Sequence, residues 1–221
     1  MNLVINVERA LVYMGSRGRD TSVLMPLVEE CREELVKAIS PVYYYRLFPV
    51  KQASGGIEVV GTGLVLTGSS IAEHLDGCDS CILLAATLSS GTDALIRKQE
   101  AFDMAKAFVT DCLASSAVED VCDEAEAEIR ERLNGKYLTW RFSPGYGDLP
   151  LDLQSTFLNV LDAPKRIGLN VTDSGMLVPS KSVTAIIGVS DKPIPRSRQG
   201  CLGCNMYEYC AFRKGGDHCG T

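Results

Sequence analysis

Two groups of residues in this 221-residue chain have the types and spacing to do chemistry. The first is Cys201-Leu-Gly-Cys204, followed by Cys210 and Cys219. The C-x-x-C pair has metal-ligand spacing, and all four thiols sit among glycines and polar residues without helix or strand periodicity. Four thiolates could hold a tetrahedral zinc or an iron–sulfur cluster, and a disulfide, redox-switch or disordered tail is the alternative. His218 adjoins Cys219 and could substitute as a ligand. The second group is the loop Arg141-Phe-Ser-Pro-Gly-Tyr-Gly-Asp-Leu-Pro150. Its glycines and prolines fix an unusual backbone path that can present main-chain groups to a ligand. Arg141 could pair a ligand carboxylate through two of its guanidinium nitrogens, and Tyr146 could stack on a ring. The alternative is a tight strand-to-helix connection in which Arg141 pairs with a surface acid.

Elements must carry these groups, and most can be read from periodicity. Residues 7–15 and about 20–38 have apolar positions at helical spacing, with Asp20-Thr21-Ser22 offering N-cap oxygens to the second. Residues 41–50 are aromatic and β-branched, and 57–60 and 64–66 are short strands around Gly61-Thr62-Gly63. Thr67-Gly68-Ser69-Ser70 caps a short helix over 71–75, and the apolar run 79–87 reads as a buried strand. A long helical stretch follows to about Leu133. Its small residues Ala114-Ser115-Ser116-Ala117 imply close packing or a break, and Glu119 to Arg132 reads mainly as a solvated face. Strands over 136–142, 168–172 and 182–189 and a helix over 151–161 complete the body. There is no regular βαβ rhythm. The expected fold is α+β, a mainly antiparallel twisted sheet with packed helices, plus a Cys-rich C-terminal tail.

With these elements in place a resemblance emerges. Arg141-Phe-Ser-Pro-Gly-Tyr-Gly, followed about two dozen residues later by Ile167-Gly-Leu-Asn-Val-Thr-Asp-Ser-Gly-Met-Leu-Val-Pro179, resembles the reactivation domain of cobalamin-dependent methionine synthase. The likeness is strongest over 137–190 and extends back through Asp79–Ala117. It implies a stand-alone reactivation subunit that binds S-adenosylmethionine (AdoMet) while a cob(II)alamin, held on a partner methyltransferase subunit, is reduced and methylated. Carried over, the AdoMet-binding residues are Arg141, Ser143 through its backbone, Gly145 and Tyr146, and no catalytic side chain is assigned. The family also uses acids on the long helix and just before the arginine. The nearest helix position here falls around Ser115-Ser116, with Glu119 and Asp120 close by, and no acid lies among Gly135–Trp140.

Composition narrows the rest. Lys and Arg number 22 against 28 Asp and Glu, a net charge of −6, which argues against a nucleic-acid-binding face. No apolar run approaches the roughly 18 residues of a membrane span. The N-terminus lacks a basic n-region, so a cytoplasmic, reducing setting is expected. Residues 1–190 are expected to form the activation-like domain and 191–221 a basic, Cys-rich candidate metal module separate from it. Arg196, Arg198, Arg213 and Lys214 there could attract a flavodoxin-like or other electron donor. An iron–sulfur or zinc-binding electron-transfer or scaffold protein that keeps the fold but not AdoMet binding is the rival reading. The remaining five of the nine cysteines, Cys31, Cys78, Cys81, Cys112 and Cys122, read as buried small hydrophobes. His74 reads as a packed or surface residue, and Asp93 with the 89–92 turn as either an anion site or an ordinary cap.

Overall fold

The computed structural model describes residues 3–16 and 19–194, together with Glu208. Cys201, Cys204, Cys210 and Cys219, with His218 and the four basic residues around them, lie outside the described residues. In chain order the elements are α1 (Val7–Tyr13), α2 (Met25–Ala38), β1 (Val42–Ala53), β2 (Gly56–Val59), β3 (Leu64–Leu66), α3 (Ser69–His74), β4 (Ser80–Thr87) and α4 (Ser90–Glu100). There follow α5 (Met104–Arg132), β5 (Tyr137–Leu138), α6 (Leu153–Leu161), α7 (Ala163–Ile167), β6 (Asn170–Val171), β7 (Leu177–Val178) and β8 (Ser182–Ser190).

The apolar run of β4 explains the architecture. A strand without polar positions needs cover on both faces. β4 lies inside a six-stranded sheet of order β3-β2-β1-β4-β8-β5, and every neighbouring pair is antiparallel. Its side chains alternate between two cores. Cys81, Leu83 and Ala85 pack with Ile71 of α3 and Leu75 just after it, Phe157, Leu158 and Leu161 of α6 and Ala163 of α7. On the opposite face, Ala86 joins Val28, Cys31 and Leu35 of α2 and Leu113 and Ala117 of α5, while Ile82 and Leu84 meet Ala125 and Ile129 of α5. The α+β fold with a mainly antiparallel sheet is thus as expected, with helices on both sides.

Boundaries differ where local chemistry overrides periodicity. The second helix begins at Met25 rather than near Asp20. Asp20 Oδ1 instead accepts from the Ser22 N–H at 2.9 Å in a local turn, and Pro26 sits in the helix's first turn. The long helical stretch breaks at Ala101–Asp103, where Asp103 caps α5 by accepting from the Ala105 and Lys106 N–H groups. Ala114–Ala117 stay helical and are closely packed, with Ser116 donating to the Asn6 carbonyl at 2.7 Å. The 136–142 strand shrinks to two paired residues and an isolated bridge between Phe142 and Ile186. Between them the Thr139 hydroxyl, rather than the backbone, accepts the Gly188 N–H at 2.6 Å. β7 and α7 carry too little periodicity to be read from sequence.

Candidate functional site

Arg141 and Phe142 leave the edge of the sheet on opposite faces, as strand alternation requires. The Arg141 guanidinium lies against α5. Its Nη1 donates to Asp123 Oδ1 at 2.9 Å and Glu126 Oε1 at 2.7 Å, and its Nη2 donates to Glu119 Oε2 at 2.8 Å. The acids are spaced i, i+4 and i+7, so one helix face presents all three. Arg9 of α1 extends the array by donating to Asp120 Oδ1 at 3.2 Å and Asp123 Oδ2 at 2.8 Å. Four carboxylates therefore surround two guanidinium groups, leaving the cluster negative. Burial works against the Arg141 charge, but Cys122 and the carboxylates more than offset it and hold its pKa above the ordinary arginine value. Asp120 is shifted upward, chiefly because it is buried.

This array corrects one expectation and sharpens another. The second half of α5 is not merely a solvated face, because Glu119, Asp123 and Glu126 grip Arg141. Sequence reasoning singled out Glu119 and Asp120 as nearby and missed Asp123 and Glu126. The missed signal was their helical spacing from Glu119. Ser115 faces a different partner, accepting from Lys181 Nζ at 3.0 Å, while Lys181 also pairs with Asp111 at 2.8 Å.

The loop continues on the α3 side of the sheet. The Phe142 ring is buried and meets the Tyr146 ring edge-on at 6.0 Å between centroids. Tyr146 is itself 59% exposed. The Gly145 N–H donates to the Leu149 carbonyl at 2.9 Å and the Tyr146 N–H to the Ser143 carbonyl at 3.0 Å, so these donors serve the loop's own shape. Arg141 and Tyr146 thus flank the sheet edge, joined by the backbone of Ser143 to Gly145.

Asp148 ties this loop to α3. One oxygen accepts from the Ser69 N–H at 2.6 Å and the Ser69 hydroxyl at 2.7 Å, and the other from the Ser70 N–H at 2.9 Å. The expected cap from Thr67–Ser70 is therefore supplied across the chain, and these bonds hold the Asp148 carboxyl well below the usual carboxylate range. At Gly147, with φ +56, a Cβ would sit 2.5 Å from Ser70 Oγ, so loop and helix approach too closely for a side chain there.

Two expected groups prove structural. His74 is buried under Trp140 and Phe142, its ring centroid 4.7 and 4.9 Å from theirs. Its Nε2 lies 2.8 Å from the Thr139 hydroxyl and 3.3 Å from the Ile186 carbonyl. Burial lowers its pKa to about 4, so it is neutral near pH 7. Asp93 is engaged by Ser180, which donates through its N–H at 3.0 Å and its hydroxyl at 2.5 Å. Among the described residues no group of three or more His, Cys, Asp or Glu side chains is placed to hold a metal, and no helix is long and apolar enough to cross a membrane.

Comparison with known proteins identifies the family and the fold. Residues 83–193, half of the chain, match the family of the vitamin B12 dependent methionine synthase activation domain. The matched span contains α4, α5, the whole Arg141 loop and β8. Among solved structures, the MetH reactivation domain bound to AdoHcy superposes with a TM-score of 0.63 at 19% identity, covering 81% of this chain and 70% of that one. That likeness is one of fold. No curated protein matches.

Proposed function

Because the chain belongs to the family of the vitamin B12 dependent methionine synthase activation domain, we propose that it binds AdoMet at the edge formed by Arg141, Ser143, Gly145 and Tyr146. It then serves reductive methylation of a cobalamin carried by a partner methyltransferase subunit. The observation that carries this reading is the pairing of a negative Arg–carboxylate array on α5 with an exposed tyrosine on the connecting loop. AdoMet has a carboxylate, an ammonium and a sulfonium. A guanidinium donor together with surplus carboxylate acceptors suits a ligand of mixed charge with net positive character.

When bound, AdoMet supplies an electrophilic methyl group on sulfur. The chain's own groups would do the rest. Arg141 would take the ligand carboxylate, exchanging it for one of its three acids. The released acid would face the ligand's cationic end. Tyr146 would cover an aromatic ring. The cobalamin is the substrate in this scheme, and the electron comes from a flavodoxin-like or other donor. Residues 1–190 would act as the binding unit, and Cys201, Cys204, Cys210 and Cys219 would hold an iron–sulfur cluster or zinc.

Calorimetry with AdoMet tests the binding half. The full chain is expected to bind, and Tyr146→Ala to weaken binding about tenfold, the ~1.4 kcal/mol of a lost ring contact. Tyr146 is the better probe because Arg141 also supports the fold. Metal analysis and a visible spectrum of anaerobically purified chain test the tail. A coloured, metal-bearing chain without AdoMet binding would favour the rival electron-transfer or scaffold reading.

A further inference from the structure

Cys78 and Cys81 belong to a second C-x-x-C, away from the Arg141 array, and a break in strand pairing brings them to the same face. In a regular strand residues three apart point to opposite sides. Here the Asp79 N–H donates to the Val189 carbonyl at 3.1 Å, while Ser80 is the register partner of Val189. Asp79, just before β4, and Ser80, its first residue, thus both oppose Val189 of β8, a β-bulge. The extra residue returns Cys78 to the side of Cys81. Gly188, the register partner of Cys81, records the result, because a Cβ there would lie 2.6 Å from Cys78 Sγ. The sulfur of Cys78 is seated over the missing side chain of Gly188, beside Leu75 and next to Cys81.

The two thiols also differ as a redox pair requires. Cys78 is half-buried and Cys81 fully buried. Burial pushes the Cys81 thiol up to about 12, and the neighbouring Cys78 adds to the shift. Cys81 is therefore held as a thiol, shielded from attack from outside, with Cys78 at the surface side of it.

We infer that Cys78 and Cys81 are a redox-active dithiol, closed to an intramolecular disulfide by a low-molecular-weight disulfide of the glutathione type. The Cys78 sulfur, as thiolate, attacks one sulfur of the oxidised reagent, forming a mixed disulfide and releasing the first reduced thiol. The Cys81 sulfur gives up its proton and displaces the second. The pair loses two electrons and two protons, and the reagent leaves as two thiols. The bond would fasten the end of α3 to β4, and α3 carries the Asp148 contact of the Arg141 loop at its other end.

The test uses the full chain treated with oxidised glutathione, then quenched, denatured, alkylated and cleaved after Lys and Arg. The fragment 52–97 contains Cys78 and Cys81 and no other cysteine. It is expected to emerge unalkylated and lighter by two hydrogens than the reduced fragment, while Cys31, Cys112 and Cys122 are alkylated. Cys78→Ser is expected to leave Cys81 reduced under the same treatment. Gly188→Ala, which crowds Cys78 out of its seat, is expected to slow closure at least tenfold. A doubly alkylated 52–97 fragment, a lasting glutathione adduct on Cys78, or a cross-link to another fragment would overturn the inference.

Discussion

Arg141 contributes to the fold and to the proposed ligand site at once, and the two roles respond differently to substitution. Removing it leaves three carboxylates of α5 facing one another. Arg141→Ala is therefore expected to lower stability by about 2 kcal/mol, less than for a fully buried ion pair, in denaturant titration. Glu119→Gln keeps size and hydrogen bonding but removes one negative charge. It is expected to weaken AdoMet about tenfold, ~1.4 kcal/mol, with little effect on the uncharged thioether AdoHcy. Calorimetry with both ligands reads the difference. His74 gives a pH signature. Its folded pKa of about 4 lies below the ordinary value of 6.5, so the unfolded chain takes up the proton first. The associated stability is complete above pH 6.5 and is lost as pH falls toward 4. Between pH 7 and pH 5 the chain should lose about 2 kcal/mol, and His74→Phe should flatten that slope in pH-dependent unfolding.

At the scale of elements, α3 and the Arg141 loop are held together by a carboxylate cap rather than by local sequence. Asp148→Asn is expected to lower the melting temperature at neutral pH. The Asp148 pKa is depressed in the fold, so its contribution is present above the ordinary carboxylate range and fades as pH falls through the folded value. The stability gap between native and Asp148→Asn chains should thus be constant from pH 7 to about 5 and narrow below about 4. Gly147→Ala should be worse, since it adds a clash with Ser70 to a left-handed backbone. Elements with a strong period were legible beforehand. The β4 run, the β1 aromatics and the α6 stripe announced themselves because a single environment governs each. What periodicity could not reveal was contact between distant residues. The Asp148 cap spans 78 or 79 positions, and the Arg141 grip joins a strand edge to a helix already marked as charged. The i, i+4, i+7 spacing of Glu119, Asp123 and Glu126 was visible in the sequence. It acquires meaning only when the strand edge delivers a guanidinium to it. The bulge before β4 was hidden for the same reason, being a property of pairing with β8.

For the whole molecule, the sheet separates two helical layers, and the Arg141 loop crosses between them at the sheet's edge. The four helices α1, α2, α4 and α5 cover one face, and α3, α6 and α7 the other. Among the described residues, the buried apolar side chains of both cores run from Ile5 to Val189. A chain ending at residue 194 is therefore expected to unfold cooperatively within a few degrees of the full chain and to bind AdoMet equally well. Any metal and its colour should be lost with the truncated tail. The central proposal, that the sheet edge holds AdoMet, is tested most directly by titrating AdoMet into the full chain in a calorimeter. Saturable one-site binding, weakened about tenfold by Tyr146→Ala, is the expected result. The absence of binding at millimolar AdoMet in a folded chain would contradict it.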